Sequence, residues 1–149
     1  LKGELDAVIN FWHYLAKLEA KGFRKIVDVK KASQELGLSS DTPLLGYVFK
    51  ANWADDNPDL IRGLRRASLE AKTILQNDDE AWQSLKELMK VKTDSEFLQL
   101  REAWRAGIPK ASVDYSSAKS LFFFMKKNGL GKLIKADSSF DPEIFLKLE

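Results

Sequence analysis

Cysteine is absent from this chain of 149 residues, and histidine occurs once, at His13. The missing cysteine excludes disulfides, thiolate metal sites and cysteine nucleophiles within these residues. A single histidine leaves too few ligands for an ordinary zinc site. A catalytic histidine usually also needs an orienting partner, and no such arrangement is recognisable in the sequence. We therefore expect no metal and no cofactor in this chain, and we expect that it is not an enzyme.

Long apolar runs and an excess of one charge are also missing. No apolar run approaches the roughly 20 residues that a membrane-spanning helix needs. The 24 basic and 22 acidic residues are interleaved and give a net charge of only +2, which does not favour binding to nucleic acid. A hydrophobic content of 44% with 31% charged residues is typical of a globular domain.

Three short apolar stretches predict buried strands, at Leu5–Phe11, Phe23–Val29 and Leu44–Phe49. The second stretch contains three β-branched residues, and each stretch has the length of a strand. A short helix is predicted between the first two strands, over Leu15–Lys21, and Gly22 ends it. This order indicates a β-α-β unit with a parallel strand pair, so the first part of the chain predicts an α/β fold.

The rest of the chain predicts helices. Helix-start signals occur at Asn57-Pro58-Asp59, near Asp78, at Thr93 with Glu96 as a capping box, and at Asp141-Pro142-Glu143. A further helix is predicted over Tyr115–Lys127, because Asn128-Gly129 follows as a stop signal. Apolar residues at helical spacing, among them Trp82, Leu85, Met89, Leu100 and Trp104, are expected to face the core.

Three segments in this order resemble a known family. They are Lys-Gly-Glu-Leu-Asp-Ala at 2–7 with the Lys-Gly at 21–22, Asn-Pro-Asp-Leu-Ile-Arg-Gly-Leu at 57–64, and Gly-Leu-Gly-Lys-Leu-Ile at 129–134 with Phe140-Asp141 after it. Together they resemble the C-terminal half of periplasmic substrate-binding proteins of ABC transporters, of the nitrate, sulfonate and taurine type. The usual Gly-Gly near the C-terminus is replaced here by Asn128-Gly129-Leu130-Gly131.

The resemblance implies a type II periplasmic binding fold, in which two α/β lobes close on a ligand. Residues 1–37 would end one lobe, residues 38–44 would cross between the lobes, and residues 45–149 would form the mostly helical C-terminal part of the other lobe. A preceding half of the protein would supply more sheet, about half of the ligand contacts, and the export signal for a periplasmic location.

Ligand-binding candidates cluster where the first predicted strand ends. Trp12 and Tyr14 would close over the apolar part of a ligand, while Asn10 and His13 would supply hydrogen bonds. Pockets of this kind are mostly apolar with a few placed polar groups. The alternative interpretation makes Phe11 and Trp12 ordinary core residues and His13 a surface or capping residue.

Thr42 and Tyr47 are further candidates, because the chain would cross between lobes there. Thr42 could donate a hydrogen bond to an anionic ligand and Tyr47 could line the cleft, with Trp53 as a weaker candidate. Turn chemistry explains Thr42 without a ligand, and a half-buried strand explains Tyr47. No strongly placed arginine indicates where an anion would bind.

Three functions follow as expectations. The first is capture of a small anionic or sulfonate-like solute, followed by docking of the closed protein on the membrane permease of an ABC importer. The second is an enzyme on the same fold, similar to the pyrimidine-precursor synthases of thiamine biosynthesis, although the cysteine-rich motif of those enzymes is absent here. The third is a helical interaction module without a ligand, which would lack the strands at Leu5–Phe11 and Leu44–Phe49.

Overall fold

A computed structural model of the protein describes residues 3–40, 42, 45–109, 114–129, 134–135 and 137–146. Secondary structure in these ranges is helical. The elements are α1 (Trp12–Glu19), α2 (Val29–Glu35), α3 (Ala51–Asp56), α4 (Pro58–Asn77), α5 (Asp79–Leu85), α6 (Asp94–Ala106), α7 (Tyr115–Lys127) and a 3-10 turn (Pro142–Ile144).

The chain divides into two compact units. Unit 1 consists of Leu1–Ile26 and Arg66–Ile108, and unit 2 consists of Val27–Arg65 and Pro109–Glu149. Unit 1 therefore holds α1, α5, α6 and the C-terminal part of α4, while unit 2 holds α2, α3, α7 and the 3-10 turn. The predicted lobes at 1–37 and 45–149 with their crossing segment stay a prediction about a longer protein.

The helices predicted from capping signals are confirmed. The Asp78 carboxylate accepts hydrogen bonds from the backbone N–H groups of Glu80 (2.8 Å) and Ala81 (3.1 Å) at the start of α5. The Thr93 hydroxyl accepts one from the N–H of Glu96 (3.1 Å) in α6. Side-chain caps satisfy N–H groups that a helix start leaves without partners, so these local signals specify where the helices begin.

Other predicted helix ends are confirmed with small differences. Helix α7 has the predicted bounds, and Asp114 caps its first turn. Helix α4 begins at Pro58 as predicted, but the Asn57 side-chain amide donates to the carbonyl of Trp53 in α3 (2.9 Å). The last predicted helix is a single 3-10 turn after Asp141, and its predicted packing residue Leu148 lies outside the described residues.

The predicted α/β fold is wrong for the described part of the chain, where no residue belongs to a strand or sheet. The first predicted strand, Leu5–Phe11, has no secondary structure before α1 begins at Trp12. Its apolar side chains are exposed, with Ile9 fully and Leu5 at 74% accessible. A strand requires the backbone of a second strand as a hydrogen-bonding partner, and none of the described residues supplies one to this segment.

The other two predicted strands fail for related reasons. The end of Phe23–Val29 is helical, because Asp28 caps α2 by accepting from the Lys31 N–H (3.1 Å) and Val29 becomes its first residue. In the third stretch, residues 45–49 have no regular structure, and Leu45 and Val48 are more than 90% exposed; Leu44 lies outside the described residues. A β-branched composition therefore does not produce a strand where a capping signal starts a helix or where no partner strand is present.

Unit 1 is built on the contact of α1 with α6. Ala16 of α1 and Phe97 and Leu100 of α6 are buried, and so is Trp82 of α5. At one end of this contact Lys21 lies beside the buried carboxylate of Glu96, with 3.6 Å between Nζ and Oε1. The apolar faces of three helices therefore form the core of this unit.

Unit 2 contains an aromatic cluster. Tyr115 and Phe122 of α7 contact Phe145 and Phe140, with ring centroids 5.3 Å and 5.9 Å apart, and Phe140 and Phe145 lie 6.2 Å apart. Lys126 donates to the carbonyl of Ser138 (2.7 Å) and fixes the same segment to the other end of α7. Edge and tilted ring contacts of this kind add to the free energy of apolar burial.

Candidate ligand-binding groove

A groove of about 270 Å³ lies within unit 1. Its size is close to the lower end of ligand cavities, which hold about 300–1,000 Å³. Helix α1 forms one side with Trp12, His13 and Lys17. The other sides are apolar and come from the end of α4, from α5 and the turn after it, and from α6: Leu75, Trp82, Leu85, Met89, Leu100 and Trp104.

Three of the four tryptophans of the chain line this groove. Trp82 and Leu100, 4% and 5% exposed, form the closed part, while Trp12, 47% exposed, forms the rim. The rings of Trp82 and Trp104 meet edge to face with centroids 5.3 Å apart. Large rigid rings offer wide apolar contact area at low cost in conformational entropy, so the groove is suited to a flat apolar group.

Polar contacts fix the position of the Trp82 ring. Its indole Nε1 donates to the carbonyl of Leu75 (2.6 Å), and Arg105 Nε donates to the same oxygen (3.0 Å). This carbonyl belongs to the last turn of α4, where carbonyls lack partners within the helix. The guanidinium of Arg105 also lies 6.0 Å from the Trp82 ring centroid. The carbonyl oxygen of Leu75 in α4 thus accepts hydrogen bonds from both α5 and α6.

Asp79 fixes the two arginines of α6 on this side. Its carboxylate oxygens lie 2.9 Å from Arg101 Nη1 and 2.7 Å from Arg105 Nη2. The hydrogen bond from Arg105 is the main cause that holds the pKa of Asp79 below its ordinary value, and the charge of Arg101 adds to it. The groove wall therefore has its charged neighbours paired outside the groove.

Glu96 is the buried charge next to the α1 side of the groove. The backbone N–H of Lys92 donates to its Oε2 (3.0 Å), and this bond is the largest cause of the lowered pKa of Glu96. The charges of Lys21 and Lys17 lower it further, against the effect of burial. In a standard capping box this carboxylate would accept from the N-cap residue itself; here it accepts from the residue before Thr93.

The structure brings two of the predicted ligand-binding residues into the groove, Trp12 and His13. Tyr14 is half exposed beside His13, with ring centroids 4.3 Å apart. Asn10 is exposed, and its Oδ1 accepts from the N–H of Phe11 (2.9 Å) at the start of α1. The cluster at 10–14 therefore contributes one side of the groove through two of its members.

The remaining predicted site residues belong to unit 2. The Thr42 hydroxyl donates to the carbonyl of Ser39 (2.8 Å), as the turn interpretation predicts. Tyr47 is 66% exposed. Trp53 stacks on Phe49 with ring centroids 5.7 Å apart. These side chains do not line the groove of unit 1.

Sequence reasoning missed the other walls of the groove. Trp82, Leu85, Met89, Leu100 and Trp104 were expected to be core residues, and Lys17 was not singled out. The available signal was limited to Trp82 and Trp104 on inward helix faces, a pattern that predicts a core as readily as a groove. Within the described residues no group of three or more histidine, cysteine, aspartate or glutamate side chains could hold a metal ion.

The chain matches no protein-family model, and the search of curated proteins gave no significant match. In the part of the chain that the structure describes, no helix combines the length and the apolar character needed to cross a membrane.

Proposed function

We propose that this chain captures a small solute, as the binding component of an ABC importer. The observation that carries the proposal is the groove of unit 1, which Trp12 and His13 line together with an apolar wall from α4, α5 and α6. The sequence also predicts these two residues as ligand contacts. An apolar cavity with a few polar groups at one side is the usual form of a small-molecule site.

The proposed binding place differs from the one that the family resemblance implies. The resemblance implied a cleft between two α/β lobes, and the described residues contain no sheet from which such lobes could be built. The groove instead lies among helices of one unit. Export to the periplasm and docking on the membrane permease rest on the resemblance of the three motifs and are part of the proposal.

A binding screen with the whole chain tests the proposal. Nitrate, aliphatic and aromatic sulfonates, aromatic acids and pyrimidines are added one at a time while the thermal unfolding temperature is measured. A ligand that binds only the folded state raises this temperature. At a concentration one hundred times its dissociation constant it adds about 2.7 kcal/mol to the free energy of unfolding. Turnover of any of these compounds would instead favour the enzyme, and no shift with any of them would contradict solute capture.

A matched pair of variants assigns the site. Trp12→Ala removes the rim of the groove and is expected to weaken binding by more than about 1 kcal/mol, which is typical for an aromatic anchor. Trp53→Ala removes a tryptophan of similar exposure, 42% against 47%, from unit 2 and is expected to leave the affinity unchanged. Equal effects of the two variants on affinity would contradict binding in the groove.

One observation favours a second candidate, a helical interaction module without a small ligand. The described residues lack strands at 5–11 and 45–49, as that function predicts, and these segments expose Leu5, Ile9, Leu45 and Val48. Exposed apolar residues in clusters mark protein interaction sites. This candidate predicts no stabilisation by any compound of the screen, so the same experiment separates the two functions.

A further inference from the structure

An apolar segment of unit 1 lies outside its core. Residues 5–9 form neither helix nor strand, and none of the described residues shares a backbone hydrogen bond with them. Leu5, Val8 and Ile9 in this segment are exposed, Ile9 completely. Transfer of apolar side chains from water to an apolar surface is favourable, so this segment is stabilised by any apolar surface that it can reach.

The segment leads directly to the edge of the groove. Phe11 lies two residues after Ile9, and its ring stacks on the ring of His13, with centroids 6.1 Å apart and 2° between the planes. His13 and Trp12 both line the groove. Six residues in extended conformation span about 20 Å, so a chain that starts at this edge is long enough to reach across a groove of about 270 Å³.

The junction between the segment and α1 is able to change direction. Helix α1 begins without a side-chain cap from the described residues, whereas Asp78 and Thr93 cap α5 and α6. Side-chain caps bind the first turn of a helix to the residue before it. The bond from the Phe11 N–H to Asn10 Oδ1 (2.9 Å) joins neighbours only. Movement of residues 5–9 therefore breaks no cap of α1.

From these observations we propose that residues 5–9 form a strap that closes over the groove when a ligand lies in it. The inference rests on the proposed capture function and adds how the bound solute is retained. None of residues 5–9 lines the groove in the structure, which therefore shows the open position of the strap.

Closure is coupled to binding because the strap needs a surface to pack against. A strap closed over an unfilled groove would enclose a space in which its side chains contact few atoms. A flat apolar ligand against Trp82 and Trp104 fills this space, and Leu5 and Ile9 then contact its outer face. A ligand shifts an equilibrium towards the state in which it makes more contacts. The ligand thus stabilises the closed strap, and the closed strap slows release of the ligand.

The release rate of an apolar probe tests the strap. N-phenyl-1-naphthylamine, an uncharged dye that fluoresces in apolar surroundings, is bound to the whole chain, and its dissociation is followed by stopped-flow fluorescence. Ile9→Asp is expected to speed its release about tenfold, since a carboxylate replaces the apolar contact. Ile26→Asp changes another exposed isoleucine of unit 1, which lies outside the strap, and is expected to leave the rate unchanged. Equal rates for the two variants would overturn the strap.

A disulfide traps the closed position directly. The chain has no cysteine of its own, so Ile9→Cys with Met89→Cys allows a single pair, between the strap and a groove-lining position after α5. A disulfide requires Cα atoms within about 7 Å of each other, and this pair is expected to cross-link faster with the dye than without it. Ile26→Cys with Met89→Cys is the control, whose rate the dye is expected to leave unchanged. A rate of the Ile9 pair that does not depend on the dye would contradict closure on the ligand.

The outcomes distinguish the strap from the proposed function. Weaker dye binding in Trp12→Ala together with unchanged release in Ile9→Asp would leave solute capture standing and overturn the strap. Slower release or tighter binding in Ile9→Asp would mean that the segment competes for the groove, which also overturns the strap. No binding of the dye, with no stabilisation by any compound of the screen, would contradict both.

Discussion

The two units use their aromatic residues in different ways. In unit 1 three tryptophans from three helices surround a groove, and Trp82 is the buried one among them. In unit 2 tyrosine and phenylalanine rings contact one another, from Tyr115 and Phe122 of α7 to Phe140 and Phe145. Aromatic residues that leave space between them can receive a ligand, and those that fill the space stabilise the fold.

Polar contacts join separate parts of the sequence in both units. In unit 1 the pairs Lys21–Glu96, Lys86–Asp94 and Arg105–Asp79 do so. In unit 2 Lys126 of α7 donates to the carbonyl of Ser138, while the pair Asp59–Arg62 connects neighbours along one helix. Pairs between elements fix the position of one helix against another, which a binding site requires.

The largest expected effect is the loss of the buried tryptophan of unit 1. Trp82→Ala removes a side chain that is 4% exposed together with its bond to the Leu75 carbonyl, and should lower the free energy of unfolding by about 3–5 kcal/mol. Leu88→Ala, at a residue 78% exposed in the same unit, should change it by less than about 0.5 kcal/mol. Urea unfolding followed by circular dichroism measures both, and equal effects would contradict the assigned core.

A smaller effect is expected in the aromatic cluster of unit 2. Phe122→Ala removes a half-buried ring that contacts Phe123 and Phe140, and should cost about 1.5 kcal/mol, at the lower end of the value for a fully buried phenylalanine. Hydrogen exchange should show lost protection in α7. Lost protection in α5 and α6 of unit 1 instead would mean that the two units do not behave separately.

A helix cap provides the next test. Thr93→Ala removes the hydroxyl that accepts from the Glu96 N–H at the start of α6 and should destabilise unit 1 by about 1 kcal/mol. Thr73→Ala is the control, because the Thr73 hydroxyl only returns to the Leu69 carbonyl of its own helix and alanine is the better helix former. Its expected effect is zero or slightly stabilising, and a larger loss than for Thr93 would contradict the capping assignment.

The smallest and most gradual effect is the response of unit 1 to acid. The pKa of Glu96 is held below its ordinary value of 4.5, so the folded state binds this proton less readily than the unfolded state. The stabilisation is therefore complete above that value and is lost as the pH falls below it. Asp79 and Asp94, whose pKa values are also lowered by their cationic partners, contribute in the same direction.

Thermal unfolding between pH 7 and pH 3 measures this response. Glu96→Gln should reduce the acid sensitivity of α1 and α6, since glutamine has no proton to gain. Acid sensitivity that is unchanged in this variant would show that other carboxylates carry it. A rise in stability on acidification would contradict the sign of the pKa shifts.

Much of the helical part of the fold could be predicted from the sequence, because its signals are local. Asp78, Thr93 and Asp114 act within a few residues of their own position. The strand predictions at Leu5–Phe11 and Leu44–Phe49 failed because an apolar run shows only that a segment could pair. Whether a partner strand is present is a non-local property.

The candidate site was predictable in part for the same reason. Trp12 and His13 stood out as neighbours in the sequence, where aromatic and polar groups follow an apolar run. Leu75, Trp82 and Trp104 join them only through the packing of α4, α5 and α6 around α1. Lys17 could not be predicted, because the predicted helix began at Leu15. Helix α1 begins at Trp12, and this start is what places Lys17 on the same helix as Trp12 and His13.

The most direct test of the central claim is a titration followed at the indole N–H resonances of the four tryptophans. These are assigned with single Trp→Phe variants, and naphthalene-2-sulfonate is added to the ¹⁵N-labelled chain. The groove account predicts that the signals of Trp12, Trp82 and Trp104 shift together with one dissociation constant while Trp53 does not move. A shift of Trp53 alone, or no shift of the three groove tryptophans, would contradict it.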